Sequence, residues 1–136
     1  MVNARETKMK ENVISEENIR QLVNDFYSKV RDEKELGSIF IKAIGNDSEE
    51  WKPHLQKLCD FWSSIMLGSR RYHGSPFQRH LMLPKFERVL FDHWLSLFEE
   101  TTREIYTEEI ADRFVEKSKQ ISKSLQLGLY PRFPEK

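Results

Sequence analysis

The amino-acid sequence predicts an all-α protein. Apolar residues recur at helical spacing in several separate segments, and no segment shows the alternation of apolar and polar residues that is typical of a half-buried strand. Because no heptad repeat persists, we expect five to six helices that pack as crossing pairs rather than as a long coiled coil. A chain of 136 residues is long enough to bury a core of its own, so the sequence predicts one domain.

The first two predicted helices follow a polar N-terminal arm. Residues 1–13 are polar and aperiodic, and we expect this arm to be frayed and flexible. Ser15 offers an N-cap to the first helix, whose apolar face includes Tyr27 and therefore carries a phenolic hydroxyl toward the interior. The segment LGSIFIKAIGND predicts a short helix or tight corner, which its final Gly-Asn-Asp closes.

The third predicted helix has two competing start signals. Asp47 and Glu50 have the spacing of a capping box, but Pro53 is tolerated only in the first turn of a helix. We therefore expect regular hydrogen bonding to begin near Trp51. The apolar stripe continues to Gly68, which has the position of a C-cap.

A loop and a short helix follow. The segment SRRYHG predicts the loop, and Ser75 with Pro76 gives the cap and first turn of a helix that Pro84 terminates. His80 falls on the apolar side of this short helix, so we expect its ring to point toward the interior.

The last two predicted helices are longer. Apolar residues over 86–98 have helical spacing, and Val89 is expected to widen the buried face of that helix. Thr107 then caps a final helix whose apolar residues repeat up to Gly128, and Pro131 blocks its continuation.

Charge and cysteine content exclude several classes of partner. Lysine plus arginine and aspartate plus glutamate each number 22, so no net charge attracts the protein to nucleic acid or to an anionic membrane. No apolar stretch approaches the length of a bilayer span. Cys59 is the single cysteine, and the charged start MVNARETKMK has no apolar run of a secretory signal. We therefore expect a cytoplasmic protein.

Two histidines lie on the apolar faces of different predicted helices. A lone histidine in such a position is more often a core residue, and His54 with His80 does not complete a tetrahedral zinc set. Haem needs only one neutral imidazole below the iron and an apolar cleft, and without a C-x-x-C-H motif it would be held non-covalently. His73, in a polar loop, and His93, after Asp92, are expected at the solvated surface.

A series of short motifs resembles the group III truncated haemoglobins of bacteria. In chain order these are DFYSKV, LGSIF, WKPH, FWSSIMLG, RYHGSP, HLMLP and WLSLFEET, and the similarity extends from about Ile19 to the end of the last helix. The resemblance implies a truncated globin fold in which helices enclose haem. It also implies a single globin domain over residues 14–130, with residues 131–136 as a tail.

The resemblance implies a role for individual residues. His80, in HLMLP, corresponds to the proximal iron ligand of the family. Tyr27 and Trp94 correspond to residues that stabilise a ligand on the distal side, and His54 to the distal gate. Residues of the haem pocket are implied at Phe40, beside the haem, and at Leu58 and Phe61, in the distal wall.

Some of these roles have alternatives. Core packing competes with ligand stabilisation at Tyr27 and Trp94, since a buried tip can instead bond to backbone. His54 has three open roles, namely bonding the ligand, gating its entry, or coordinating iron in a ligand-free state, and we rank gating first. Tyr72 and Arg79 are candidates to contact the haem propionates.

We expect a globin that holds haem b and reversibly binds dioxygen and other diatomic ligands such as nitric oxide, carbon monoxide or cyanide. Its role would be oxygen transport or sensing, with a reductase as a possible partner and a monomer or weak dimer as the assembly. The first alternative is a haem enzyme with peroxidase-like or nitric oxide dioxygenase activity. The second is a helical interaction domain without a cofactor, in which both histidines are core residues.

Overall fold

The computed structural model describes residues 9–45, 47–74 and 88–129, and within these ranges the chain forms five helices and no named strand. The all-α prediction is therefore confirmed for this part of the chain. The short helix predicted between Pro76 and Pro84 lies outside the described residues. The helices, numbered in chain order, are α1 (Glu16–Asp32), α2 (Lys34–Ile44), α3 (Ser48–Leu67), α4 (Val89–Ile105) and α5 (Glu108–Leu129).

Helix α1 is central to the packing, because it contacts α2, α3 and α4, and α5 packs against α4. Its buried side chains recur at helical spacing, as the sequence predicts. The apolar residues of this face are Ile19, Leu22, Val23, Phe26, Tyr27 and Val30. The other helices therefore gather around one apolar face of α1.

The first turn of α1 is fixed by a capping box. The backbone N–H of Asn18 donates to Ser15 Oγ over 3.1 Å, and the backbone N–H of Ser15 donates to Asn18 Oδ1 over 2.9 Å. The predicted cap at Ser15 is confirmed. Asn18 Oδ1 also accepts from the buried hydroxyl of Tyr106 over 2.8 Å, so the start of α1 is joined to the junction of α4 and α5.

The N-terminal arm is attached where the structure describes it. The backbone N–H of Glu11 donates to the Ile105 carbonyl over 2.9 Å, and the Glu11 carbonyl accepts from the Thr107 N–H over 2.9 Å. Glu11 is therefore hydrogen-bonded to the end of α4 and to Thr107, and the expectation that the arm over residues 1–13 frays stays a prediction. Residues 1–8 lie outside the described residues.

The corner between α1 and α2 is tight. Glu33 ends α1 and begins α2, and its side chain accepts from the Leu36 backbone N–H over 2.7 Å. A Cβ atom at Gly37 would lie 2.5 Å from the Arg31 carbonyl oxygen. Glycine at this position therefore allows α2 to begin directly against the end of α1. The alternative between a short helix and a tight corner resolves into a helix of 11 residues.

Helix α3 begins earlier than the sequence predicts. The helix starts at Ser48, and Asp47 and Glu50 form the capping box, so the expected start near Trp51 is wrong. Pro53 lies inside the helix, where it removes the single hydrogen bond that its own N–H would make. The capping box satisfies two backbone donors at the start of the helix, and the helix continues through Pro53. The C-cap at Gly68 is confirmed, with the left-handed φ of 67° that glycine tolerates.

Helix α4 differs from the prediction at Val89, which is 49% exposed instead of widening the buried face. Leu90 and Phe91, the next two residues, are buried in its place. Val89 lies in the first turn, at the edge of the packed region. Among the helices described, none has the length and apolar character needed to cross a membrane.

Replacing Tyr106 with phenylalanine tests the link between α1 and the α4–α5 junction. The Tyr106→Phe variant should lower the free energy of unfolding at neutral pH by about 1 kcal/mol, because the hydrogen bond to Asn18 is lost. Burial, and secondarily the Glu11 carboxylate, raises the pKa of Tyr106. The neutral hydroxyl therefore stabilises the fold below pH 10.0, and this stabilisation is lost as the pH rises further.

Urea unfolding at increasing alkaline pH measures both effects. The wild-type protein should lose stability above pH 10.0 more steeply than Tyr106→Phe. Parallel losses in the two proteins would show that Tyr106 does not carry this dependence.

Candidate functional site

Two polar aromatic side chains from different helices meet inside the fold. Tyr27, on α1, and Trp94, on α4, lie close enough for the indole to lower the pKa of the phenol. Because an indole N–H only donates, Trp94 can donate toward the Tyr27 oxygen but cannot accept from its hydroxyl. The hydroxyl hydrogen of Tyr27 therefore remains to be donated to another acceptor.

Burial determines the protonation state of Tyr27. Desolvation raises the pKa of its hydroxyl to about 12, and the nearby Trp94 indole offsets part of this rise. The side chain is only 5% exposed. Tyr27 is therefore a neutral hydrogen-bond donor over the whole physiological pH range.

The orientations of both rings are fixed by neighbouring aromatic rings. Phe26 contacts Tyr27 and Trp94 edge to face, with centroid distances of 4.6 and 5.3 Å. Phe98 stacks on Trp94 at 5.4 Å with an interplanar angle of 2°. Such contacts add roughly 0.5–1.5 kcal/mol per pair beyond their buried area. The indole N–H and the phenol therefore sit on a rigid aromatic support.

A second aromatic group covers the α2 side of Tyr27. Phe40, on α2, contacts Tyr27 at 5.7 Å, and Trp51, on α3, lies 6.2 Å from Phe40 and 6.4 Å from Tyr27. The Trp51 indole donates to the Gly45 carbonyl over 2.7 Å, which holds the α2–α3 corner in place. The structure thus brings the predicted residues Tyr27, Trp94 and Phe40 into one region.

Helix α3 carries the other predicted pocket residues on one face. His54, Leu58 and Phe61 follow each other at spacings of four and three residues, and all three are half-buried. The Phe61 ring contacts Tyr72 edge to face at 5.2 Å. The roles of these residues toward a ligand remain predictions.

The loop after α3 is held by hydroxyl groups. Ser64 Oγ accepts from the Tyr72 backbone N–H over 2.9 Å. The buried Ser63 Oγ donates to Glu16 Oε2 over 2.6 Å, which links α3 to the start of α1. The loop predicted from SRRYHG is confirmed at residues 69–74, which form no helix. His80 and Arg79, the predicted iron ligand and propionate contact, lie outside the described residues.

Residues outside the predicted set also shape the site. Phe26 and Phe98 hold the rings of Tyr27 and Trp94. In the sequence, Phe26 is one residue from Tyr27 and Phe98 is four residues from Trp94, and this spacing was the available signal for their contacts. His73 is exposed, as expected. The His93 side chain is 38% exposed, but its Nδ1 atom is buried and has no hydrogen-bond partner.

The described residues have the chemistry that a haem pocket needs, namely apolar and aromatic walls with a few polar groups on the ligand side. Apolar side chains that pack against the core while remaining partly exposed come from α2, α3 and α4, and include Ile39, Phe40, Ile44, Leu55, Leu58, Phe61, Met66, Trp94 and Leu97. The Tyr27–Trp94 pair supplies the polar groups. The residues present therefore fit a flat apolar cofactor.

Comparison with known proteins gives consistent matches. Residues 9–126 match the family described as bacterial-like globin. The group 3 truncated hemoglobin ctb of Campylobacter jejuni subsp. jejuni serotype O:2 is 42% identical over 122 residues, which cover 90% of this chain and 96% of that protein. The crystal structure of group III truncated hemoglobin from Campylobacter jejuni has a TM-score of 0.87 at 41% identity, and the match covers 90% of this chain and 97% of that chain.

Replacing Trp94 with phenylalanine tests the influence of the indole on Tyr27. The Trp94→Phe variant should raise the pKa of Tyr27 further, because the indole N–H favours the ionised phenol. NMR of ring-labelled tyrosine follows the onset of ionisation of each tyrosine at alkaline pH. Trp62→Phe is a matched control, since Trp62 is also buried and stacks on Phe98. An unchanged or lower pKa in Trp94→Phe would contradict the assignment.

Proposed function

The chain belongs to the bacterial-like globin family, among the group III truncated haemoglobins, and we propose that it binds haem b non-covalently and takes up dioxygen reversibly. Membership of the family implies a globin-type role with haem and diatomic gas ligands. The observation that carries the proposal is the close approach of two polar aromatic side chains, the buried Tyr27 and the partly buried Trp94.

Several side chains of this chain are proposed to hold haem. When bound, haem supplies an iron centre with one coordination position for a diatomic molecule. We propose His80 as the proximal ligand, because one neutral imidazole is all that the iron requires from the protein. Tyr72 and Arg79 are proposed to contact the propionates, and Phe40, Leu58 and Phe61 to exclude water from the cleft.

Tyr27 and Trp94 favour ligands that carry partial negative charge. Both side chains are donors, and the raised pKa of Tyr27, about 12, keeps its hydroxyl protonated. Each hydrogen bond to a charged acceptor contributes roughly 1–3 kcal/mol. Dioxygen and cyanide therefore gain more than carbon monoxide, which accumulates little charge. Slow release of dioxygen is the expected consequence.

The proposal also assigns a role to His54 and a partner that keeps the iron reduced. We propose that the half-buried His54 gates entry of the diatomic ligand, and that a reductase partner maintains the ferrous state. The same two donors would assist cleavage of a peroxide O–O bond or oxidation of nitric oxide. Peroxidase-like or nitric oxide dioxygenase activity is therefore the second candidate function.

Removal of single donors tests the distal assignment. Tyr27→Phe and Trp94→Phe should each retain haem and raise the rate of dioxygen dissociation by about 5- to 150-fold, which corresponds to 1–3 kcal/mol. Stopped-flow displacement of dioxygen measures the rate. Tyr106→Phe removes a different buried hydroxyl and should leave the rate unchanged. If all three variants release dioxygen like the wild type, the distal assignment is wrong.

Removal of the imidazole tests the proximal assignment. His80→Ala should abolish stable haem retention, whereas His73→Ala, at the exposed loop histidine, should retain haem. Absorption spectra of the purified proteins, with and without dithionite and carbon monoxide, measure retention and ligand binding. Wild-type protein that stays colourless after titration with haemin would instead support the cofactor-free helical domain.

A further inference from the structure

A cluster of potential metal ligands shares no residue with the Tyr27–Trp94 pair. Glu33 and Glu35, at the start of α2, face His93 on α4. His93 Nδ1 lies 3.6 Å from Glu33 Oε2 and 3.8 Å from Glu35 Oε1, and one ligand atom from each of the three residues lies within 4.8 Å of the others. Three donor atoms from two helices therefore converge on one point.

The histidine nitrogen in this cluster lacks the partner that a buried polar atom normally has. His93 Nδ1 is inaccessible to solvent and makes no hydrogen bond. Both distances to the carboxylate oxygens exceed the usual length of a hydrogen bond. An unsatisfied buried nitrogen is unfavourable, so a ligand that used its lone pair would remove this cost.

The separations are close to those of a metal site. With bonds of about 2.0–2.2 Å, two ligand atoms of a tetrahedral zinc site lie about 3.3–3.6 Å apart. The two measured distances are therefore within a few tenths of an ångström of the required spacing. Side-chain rotation alone could close this difference, because the Glu35 side chain is 64% exposed.

We propose that Glu33, Glu35 and His93 bind a divalent transition metal, with Zn²⁺ as the ion that fits best. One imidazole and two carboxylates are ligands that zinc accepts, whereas Mg²⁺ and Ca²⁺ prefer sites made entirely of oxygen atoms. A water molecule takes the fourth position, because the cluster is open to solvent on the Glu35 side. This proposal does not depend on haem or on dioxygen binding.

The corner between α1 and α2 prepares one of the ligands. Glu33 Oε1 accepts from the Leu36 N–H over 2.7 Å, which leaves Oε2 turned toward His93. A hydrogen bond to the second oxygen of a ligating carboxylate is the usual way in which proteins orient such a ligand. Zinc at this point would join the first turn of α2 to α4 next to Trp94.

Calorimetric titration of the full chain with zinc chloride tests the site. We expect one saturable site, with the affinity lowered at least about tenfold in each of Glu33→Gln, Glu35→Gln and His93→Gln. Glutamine at position 33 keeps an oxygen for the helix cap. His73→Gln is the matched control, since His73 is exposed and belongs to the loop, and its affinity should equal that of the wild type.

Two further measurements locate the ion. Zinc should raise the thermal midpoint of the wild type, and this rise should be lost in His93→Gln. Histidine-selective NMR should show the His93 ring signals shifting on zinc addition, while magnesium chloride leaves them unchanged. Wild-type affinity retained in all three cluster variants, or no saturable zinc binding below millimolar concentration, would overturn the proposal. Loss of haem binding in other variants would leave it unaffected.

Discussion

The contact between the apolar face of α1 and helix α4 is the constraint on which the site depends. It brings the Trp94 indole close to the Tyr27 hydroxyl and excludes water from the phenol, while Trp94 itself stays partly exposed. Burial raises the pKa of Tyr27, so its hydroxyl stays protonated and can donate a hydrogen bond. The packing of the two helices therefore also determines the donor chemistry of the site. Phe26 and Phe98 then fix the direction of the two donors. A shift of either helix would change the geometry and the protonation state together.

Local sequence signals predicted helix ends correctly where one signal acted alone and failed where two signals competed. The cap at Ser15 and the stop at Gly68 depend on one or two residues each, and both are confirmed. The start of α3 was missed because two local signals disagreed, and spacing alone does not rank a capping box against Pro53. Val89 was misplaced because periodicity identifies a helical face but not the point at which that face leaves the core.

The candidate site was predictable only in part, because its important contacts join residues far apart in the chain. Tyr27 could be assigned to an apolar face from spacing, but its approach to Trp94 depends on how α1 and α4 pack. The same holds for His93, whose neighbours Glu33 and Glu35 belong to another helix. Family resemblance supplied what spacing does not contain, namely which aromatic residues line a common pocket. It gave no signal for the His93 cluster, where the structure alone brings the three side chains together.

The hydrogen bond between Asn18 and Tyr106 spans 88 positions along the chain. Closing so long a loop costs more conformational entropy than a contact between helices that are neighbours in the chain, so we expect the α4–α5 hairpin to form before the start of α1 docks. By the same reasoning, the docked terminus is a natural starting point for sub-global opening. For the same reason, we expect α1 and α4, the helices that carry Tyr27 and Trp94, to pack together only after their local helical structure has formed.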